Sequence, residues 1–178
     1  MIRTQQAKSG FTIVELLIVI VVIGILAAIT IVAYNGIQQR SRDSKRVSDI
    51  AAITKALELY YIDNGEYPLG SGSTSMSGTW STTADASWQN LATKLKPYMA
   101  SLPSDPISSP NIDMRTSSTG NNYAYYGNAA SFCGASQKQL YLLIYRLEGP
   151  NQEDHFVGSC SVAPSLSYTG VSNYRVNK

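Results

Sequence analysis

Residues 8–34 read KSGFTIVELLIVIVVIGILAAITIVAY, and this stretch decides the fold of the chain. A short basic leader ends at Gly10, and an apolar run of 23 residues follows from Phe11 to Ala33. A helix needs about 20 apolar residues to cross a bilayer. The run carries a single acid, Glu15, and a lone carboxylate in a membrane span is unfavourable unless it has a partner. The stretch therefore predicts a membrane-spanning helix with a functional acid near its start.

The remainder of the 178-residue chain has room for one modest globular domain. The formal net charge is +2, but two of the basic residues, Arg3 and Lys8, lie in the leader. Removal of the leader takes the basic residues from 14 to 12, against 12 acidic residues. A neutral mature chain has no general electrostatic attraction to nucleic acid or acidic lipid. We therefore expect no nucleic-acid partner.

The junction between leader and apolar run resembles the N-terminus of a type IV prepilin, without a gap over residues 8–34. The resemblance implies that prepilin peptidase removes residues 1–10 by cleaving after Gly10. It also implies N-methylation of the new N-terminal residue, Phe11. Glu15 is then the assembly residue, which pairs with the Phe11 amine of a neighbouring subunit. Two charges that are unfavourable alone in hydrocarbon are tolerated as a pair, which draws each subunit into register.

The same resemblance implies the orientation and location of the chain. The leader must be cytoplasmic to reach the peptidase, so the precursor is a single-pass inner-membrane protein with its C-terminal head outside. Counting Lys and Arg does not decide the orientation, because basic residues flank both ends of the span. The implied partners are the lipid bilayer, identical or related pilin subunits, the prepilin peptidase and methylase, and the inner-membrane assembly machinery.

Two other interpretations of the apolar run were weighed against the prepilin one. A secretory signal peptide has a shorter apolar core of about 7–15 residues, followed by a small-residue cleavage site. A plain membrane anchor fits the length, but it gives no reason for an acid just beyond the Gly10-Phe11 junction. The chain departs from the prepilin pattern at Val32, which replaces the proline usually found eight residues after Gly24.

A long helix is predicted from Phe11 to Tyr61, because no proline occurs between the apolar run and Pro68. Its first half, residues 11–33, is apolar on all sides, and its second half, residues 34–62, is amphipathic. Gly65 permits a left-handed helix end, and Pro68 prevents the helix from restarting.

The amphipathic half has an apolar stripe at helical spacing, which consists of Val47, Ile50, Thr54, Leu57 and Tyr61. Charged residues, among them Arg46 and Asp49, are predicted to cover the rest of its surface. Residues 43–68, DSKRVSDIAAITKALELYYIDNGEYP, are similar to the corresponding segment of type II secretion pseudopilins and of small bacterial pilins.

Residues 63–178 are predicted to form a globular head. Residues 69–86 are rich in Gly, Ser and Thr and are interpreted as a flexible, exposed loop. A short helix is expected from about Ser87, capped by Asp85 or Ser87 and ended by Pro97. Strands are predicted at residues 122–128, 139–148, 155–162 and 171–176. An antiparallel sheet of three or four strands packed on the amphipathic half of the long helix gives an α+β fold.

Cys133 and Cys160 lie far beyond the membrane span. If this part of the chain is exported, a disulfide is the expected state, and the prepilin family often carries one such C-terminal bridge. Two unpaired buried thiols are the alternative.

Asp105 lies in the sequence LPSDP, which resembles a pseudopilin motif whose oxygens help to bind calcium. The tryptophan and the later acidic, Gly-rich segment of that motif are missing, so Asp105 is interpreted as a turn residue. The only histidine is His155, and no zinc site, cofactor site or catalytic set is predicted. The chain is therefore predicted not to be an enzyme. Five tyrosines are assigned to core and cross-strand packing in preference to stacking on DNA bases: Tyr123, Tyr125, Tyr126, Tyr141 and Tyr145.

The sequence as a whole predicts the structural subunit of a type IV pilus-like extracellular filament, assembled through its N-terminal helix after leader cleavage and methylation. Two alternatives remain: a pseudopilin of a type II secretion system, and a single-pass anchored adhesin or binding domain that never polymerises. The missing calcium motif and the cysteine pair favour a pilin over a pseudopilin.

Overall fold

The computed structural model describes residues 10–127, 134–149, 155–156 and 173–177. It divides into two compact units, one ending at Gln39 and the other beginning at Arg40. Cys133 and Cys160 lie outside the described residues, so their predicted disulfide stays a prediction.

Helix α1 runs without interruption over Ile13–Asn64. The predicted helix is confirmed, with each end within three residues of the expected position. Its N-terminal part is long and apolar enough to cross a membrane, and the most apolar 18-residue window is not buried by any other part of the described chain. The helix ends as expected at Gly65, which has φ +70° and donates its N–H to the Tyr61 carbonyl at 2.7 Å.

The buried face of the amphipathic half differs from the predicted stripe by about one residue. Val47 is 47% exposed, whereas Ile53 is fully buried beside Ile50 and Leu57. The buried face also includes Arg46 and Asp49, which were predicted to lie in solvent. The shift arises because polar groups of the head pair with both side chains: Asp105 and Glu148 accept hydrogen bonds from Arg46, and the Tyr123 hydroxyl donates one to Asp49. Polar residues therefore continue the buried face.

Helix α2 spans Trp88–Leu95 and buries Trp88, Leu91 and Leu95. The helix ends before Pro97, as predicted. Of the two predicted caps, Ser87 makes no side-chain capping bond, whereas Asp85 Oδ1 accepts the Ser87 N–H at 2.9 Å just before the helix. The Ser87 hydroxyl instead accepts the Thr82 N–H at 2.9 Å, which ties the start of α2 to the neighbouring strand.

The sheet has five strands in the spatial order β1-β2-β3-β5-β4. Their bounds are β1 Ser81–Thr82, β2 Ala124–Gly127, β3 Tyr141–Tyr145, β4 His155–Phe156 and β5 Asn173–Asn177. The pairs β1–β2, β2–β3 and β3–β5 are antiparallel, in agreement with the predicted α+β fold. The sheet differs from the predicted antiparallel sheet in two respects. Strand β1 was not predicted, and the edge strand β4 pairs with β5 in parallel.

The Gly/Ser/Thr-rich segment at residues 69–86 is only in part the exposed loop that was predicted: Thr74, Gly78 and Thr79 are exposed, but other residues are not. It contains strand β1, and Trp80, Ser81, Thr82 and Ala84 are buried. Gly70 lies so close to the backbone that an added Cβ would be 2.6 Å from the Thr79 carbonyl oxygen. Low side-chain volume here permits close packing, and it was misread as a sign of exposure.

Two apolar clusters fill the head, one on each face of strand β3. The first joins Ile53 and Leu57 of α1 to Leu91 of α2 and to the tyrosine side of the sheet. The second surrounds Trp80 and Leu142 on the opposite face. Strand β3 is therefore buried on both faces, as its composition predicted. Of the five tyrosines assigned to packing, Tyr126 is partly buried. The other four are buried: Tyr123, Tyr125, Tyr141 and Tyr145.

Candidate functional site

The start of α1 brings Glu15 into hydrogen bonds with Thr12. The Thr12 backbone N–H and hydroxyl donate to Glu15 Oε2 at 2.8 and 2.7 Å, and the Glu15 N–H donates to Thr12 Oγ1 at 3.2 Å. This reciprocal pattern is a capping box, which satisfies backbone donors that the first turn of a helix leaves free. Glu15 thus has two local donors in the single chain. The prediction omitted Thr12, although the T-x-x-E spacing was visible in the sequence.

Gly10 and Phe11 lie just before α1, where the chain is not helical. Phe11 is 92% exposed, and no atom lies within 4 Å of the Cβ position at Gly10. Among the described residues nothing packs against the predicted cleavage junction, and cleavage there stays a prediction. A peptidase needs to enclose the backbone of its substrate, and nothing described at this junction stands in the way.

The apolar side chains of the N-terminal unit are exposed along its length. Large aliphatic residues on every side of the helix, such as Leu16, Ile20 and Ile29, are more than half exposed. A continuous apolar surface of this kind on a folded chain marks a membrane or protein contact. Glu15 is the acid that accompanies this surface at its N-terminal end.

A second cluster of charges lies in the head and centres on the fully buried Arg46. Its Nε and Nη2 donate to the two carboxylate oxygens of Asp105 at 2.7 and 3.1 Å. Its Nη1 donates to Asp43 Oδ1 at 2.8 Å and to Glu148 Oε1 at 2.6 Å. Burial lowers the pKa of a guanidinium, but the hydrogen bonds that Arg46 donates to Asp105 and Glu148 outweigh this effect and raise the pKa of Arg46.

The cluster also holds the chain just after β3. Arg42 forms a two-pronged ion pair with Glu148, with Nε–Oε1 and Nη2–Oε2 distances of 2.8 and 2.5 Å. Asp43 accepts the backbone N–H groups of Glu148 and Gly149, both at 2.9 Å. Hydrogen bonding from Arg42, opposed by burial and aided by Arg46, lowers the pKa of Glu148 to about 2. We refer to Arg42, Asp43, Arg46, Asp105 and Glu148 as the Arg46 cluster.

The Arg46 cluster bears on the calcium motif that Asp105 resembles. Asp105 is buried, and both its oxygens accept from Arg46, while Oδ1 also accepts the Ile107 N–H at 2.9 Å. Its bond to the Ile107 N–H is that of a turn residue, as predicted. Its bonds to Arg46 make it, in addition, the ion-pair partner of a buried guanidinium. Within the described residues no group of three or more His, Cys, Asp or Glu is placed to hold a metal ion. Asp105 does not fit a calcium site.

The sequence prediction missed this cluster for an identifiable reason. Asp43 and Arg46 stand three residues apart on one helix, which is a recognisable pair, but their partners are 59 and about 102 residues away. No local pattern links a helix charge to a turn or to a strand end. Only the buried position of Arg46 reveals its role.

Two family models match the chain. The prokaryotic N-terminal methylation motif matches residues 5–31. The model of the type II secretion system (T2SS), protein G, matches residues 34–129, which is more than half of the chain. Together they cover the apolar helix, its amphipathic continuation and the head as far as β2.

Curated relatives carry the name type II secretion system core protein G. The protein from Escherichia coli (strain K12) is 34% identical over 106 residues, which are 58% of this chain and 70% of that protein. The protein from Aeromonas hydrophila is 41% identical over 64 residues, but these cover only 45% of it and 36% of this chain. The match to the Vibrio cholerae protein, at 35% over 66 residues, is equally partial. No solved structure gives a significant match.

These relatives favour the alternative of a type II secretion pseudopilin over the extracellular pilus that the sequence first suggested. None of them supports an adhesive domain. The relatives are structural, non-enzymatic proteins, which agrees with the prediction that the chain is not an enzyme.

Proposed function

Because the chain belongs to the type II secretion system protein G family, we propose that it is the repeating subunit of a pseudopilus, a filament built from the inner membrane in the periplasm. The observation that carries the proposal is one continuous helix, Ile13–Asn64, that starts in a methylation motif and ends in a protein G head. Its N-terminal part exposes apolar side chains on every side, and a filament would bury them.

Maturation comes first in this proposal. Prepilin peptidase removes residues 1–10, and the new amino group on Phe11 is methylated. The exposed Gly10–Phe11 junction and the match to the methylation motif support both steps. Before and after this processing, until the subunit is assembled, residues 11–33 hold the chain in the inner membrane with the head on the far side.

Assembly then exchanges the partners of Glu15. In the single chain its carboxylate accepts hydrogen bonds from Thr12. In the filament it pairs with the positively charged Phe11 amine of a neighbour. A charge pair in hydrocarbon is tolerated where either charge alone is not, so only the register that aligns the two is favourable. The apolar helices leave lipid for the filament core, and residues 63–178 lie outside it.

The partners follow from this function: further copies of the chain, the peptidase and methylase, and the inner-membrane assembly machinery of type II secretion. An extracellular type IV pilus is the second candidate, since the engagement of Asp105 by Arg46 departs from the pseudopilin calcium motif.

Deletion of the gene in the source bacterium tests the proposal. We expect a type II secretion substrate to accumulate in the periplasm, and the wild-type copy to restore its release. As a control, the deletion strain should keep its surface fibres when intact cells are labelled with antibody. Normal secretion together with loss of surface fibres would contradict the pseudopilus proposal and would support an extracellular pilus instead.

A further inference from the structure

We propose that Arg46 is the resident cation of the acidic cluster formed by Asp43, Asp105 and Glu148, and that this guanidinium takes the place of a calcium ion at Asp105. The inference concerns the stability of the head and does not depend on the type of filament. It assigns Arg46 a positioning role for three separate pieces of the fold.

The Asp105 carboxylate already accepts three hydrogen bonds from the chain. Its side chain is fully buried, and Oδ2 accepts from Arg46 Nε while Oδ1 accepts from Arg46 Nη2 and from the Ile107 N–H. A calcium ion needs six to eight oxygen ligands at 2.3–2.6 Å. To reach Asp105, the ion would have to displace a two-pronged, charge-assisted pair, which is among the stronger hydrogen-bonded contacts in proteins.

The charges of the cluster are already matched by donors of the chain. Two positive charges, on Arg42 and Arg46, form ion pairs with three negatively charged carboxylates. The remaining negative charge is met by backbone N–H groups, of which Asp43 accepts two and Asp105 accepts one. A divalent cation would enter beside a buried guanidinium, where like charges repel more strongly than in water.

The positions of the acids show what the guanidinium holds together. Asp43 is on α1, Asp105 is in the turn after α2, and Glu148 follows β3. Arg46 contacts all three within 3.1 Å, so one side chain fixes the two later segments to the helix. A bound metal performs the same task of joining distant segments, and here a protein cation suffices. The contacts that join α1 to the turn and to the end of β3 therefore need no calcium ion.

The first test uses the wild-type full chain in detergent and needs no variant to fold. Hydrogen–deuterium exchange is measured in a chelator and in millimolar calcium, on peptides that contain the Ile107, Glu148 and Gly149 amides. These amides donate to Asp105 and Asp43, so an ion that recruited either carboxylate would change their protection. We expect the same exchange in both solutions. A calcium-dependent change confined to these peptides would overturn the proposal.

Variants then test the role of the guanidinium. Arg46→Gln leaves buried acids without their cation, and we expect the folded-to-unfolded ratio to fall by about 100-fold or more. Lys45→Gln is the matched control, since Lys45 is its exposed neighbour on α1 and, among the residues that the structure describes, forms an ion pair with Asp49 alone; little change is expected there. If Arg46→Gln is no less stable than Lys45→Gln, the proposal fails.

Discussion

Glu15 and Thr12 define what the chain does at the scale of a residue. The single chain satisfies the Glu15 carboxylate with Thr12, and the proposed filament satisfies it with the amine of another subunit. The acid and its offset from Gly10 were readable from the sequence, since a lone carboxylate in an apolar run stands out. Thr12 was overlooked because a single small polar residue in an apolar run carries a signal only when it is read together with Glu15, three residues further on.

Replacement of Thr12 tests the capping box. In Thr12→Ala the side-chain donor and acceptor are lost, and we expect the first turn of α1 to be weaker by about 1 kcal/mol. Faster exchange of the amides of residues 13–16 in detergent would show this. Thr30→Ala is a suitable control, because the Thr30 hydroxyl donates to the Leu26 carbonyl at mid-helix and caps nothing. Unchanged exchange in Thr12→Ala would refute the cap.

Glu148 makes the stability of the head depend on pH. Its pKa is about 2 in the folded chain, below the ordinary value of 4.5, because Arg42 and Arg46 favour the charged form. A depressed pKa adds stability that is complete above pH 4.5 and is lost as pH falls through about 2. The full effect is about 3 kcal/mol.

Denaturant unfolding between pH 5 and pH 2 measures this loss. Glu148→Gln isolates the contribution of Glu148 from those of other acids, since it carries no titrating group at that position. We expect the wild-type free energy of unfolding to fall more steeply than that of the variant over this range. Parallel curves would contradict the account.

At the scale of the elements, the sequence predicted what periodicity and composition can show. Helix α1, helix α2 and three of the antiparallel strands were found within a few residues of their positions. Strand β1 was missed because two residues in a Gly/Ser/Thr-rich segment have no period. The buried face of α1 differs from the prediction because hydrophobicity alone assigns Arg46 to solvent, whereas the head supplies the buried Asp105 and the partly buried Glu148 as its partners.

Strand β2 packs closely against the backbone at Pro68, and its last residue, Gly127, provides a test of this contact. A Cβ on Gly127 would lie 2.1 Å from the Pro68 carbonyl oxygen, so Gly127→Ala must displace the backbone. We expect a loss of about 1–3 kcal/mol in the free energy of unfolding. Gly78→Ala is the control, because nothing lies within 4 Å of its Cβ position. Equal melting temperatures for the two variants would show that the contact is not tight.

For the whole molecule, the sequence predicted the class of function more readily than its detail. The methylation motif is local and lies in one stretch, so a filament subunit was recognisable from residues 8–34 alone. That motif does not decide between pilus and pseudopilus; the match to the protein G model over residues 34–129 favours the pseudopilus. The Arg46 cluster could not be predicted either, since its members come from three segments far apart in the chain.

The most direct test of the account is a count of filaments assembled by Glu15→Ala, with mass spectrometry of the mature N-terminus. Glu15→Asp serves as the control that keeps the charge. We predict that Glu15→Ala is cleaved after Gly10, methylated on Phe11 and retained in the inner membrane, with few or no filaments, while Glu15→Asp assembles at least some. Wild-type numbers of filaments from correctly processed Glu15→Ala would contradict assembly through this charge.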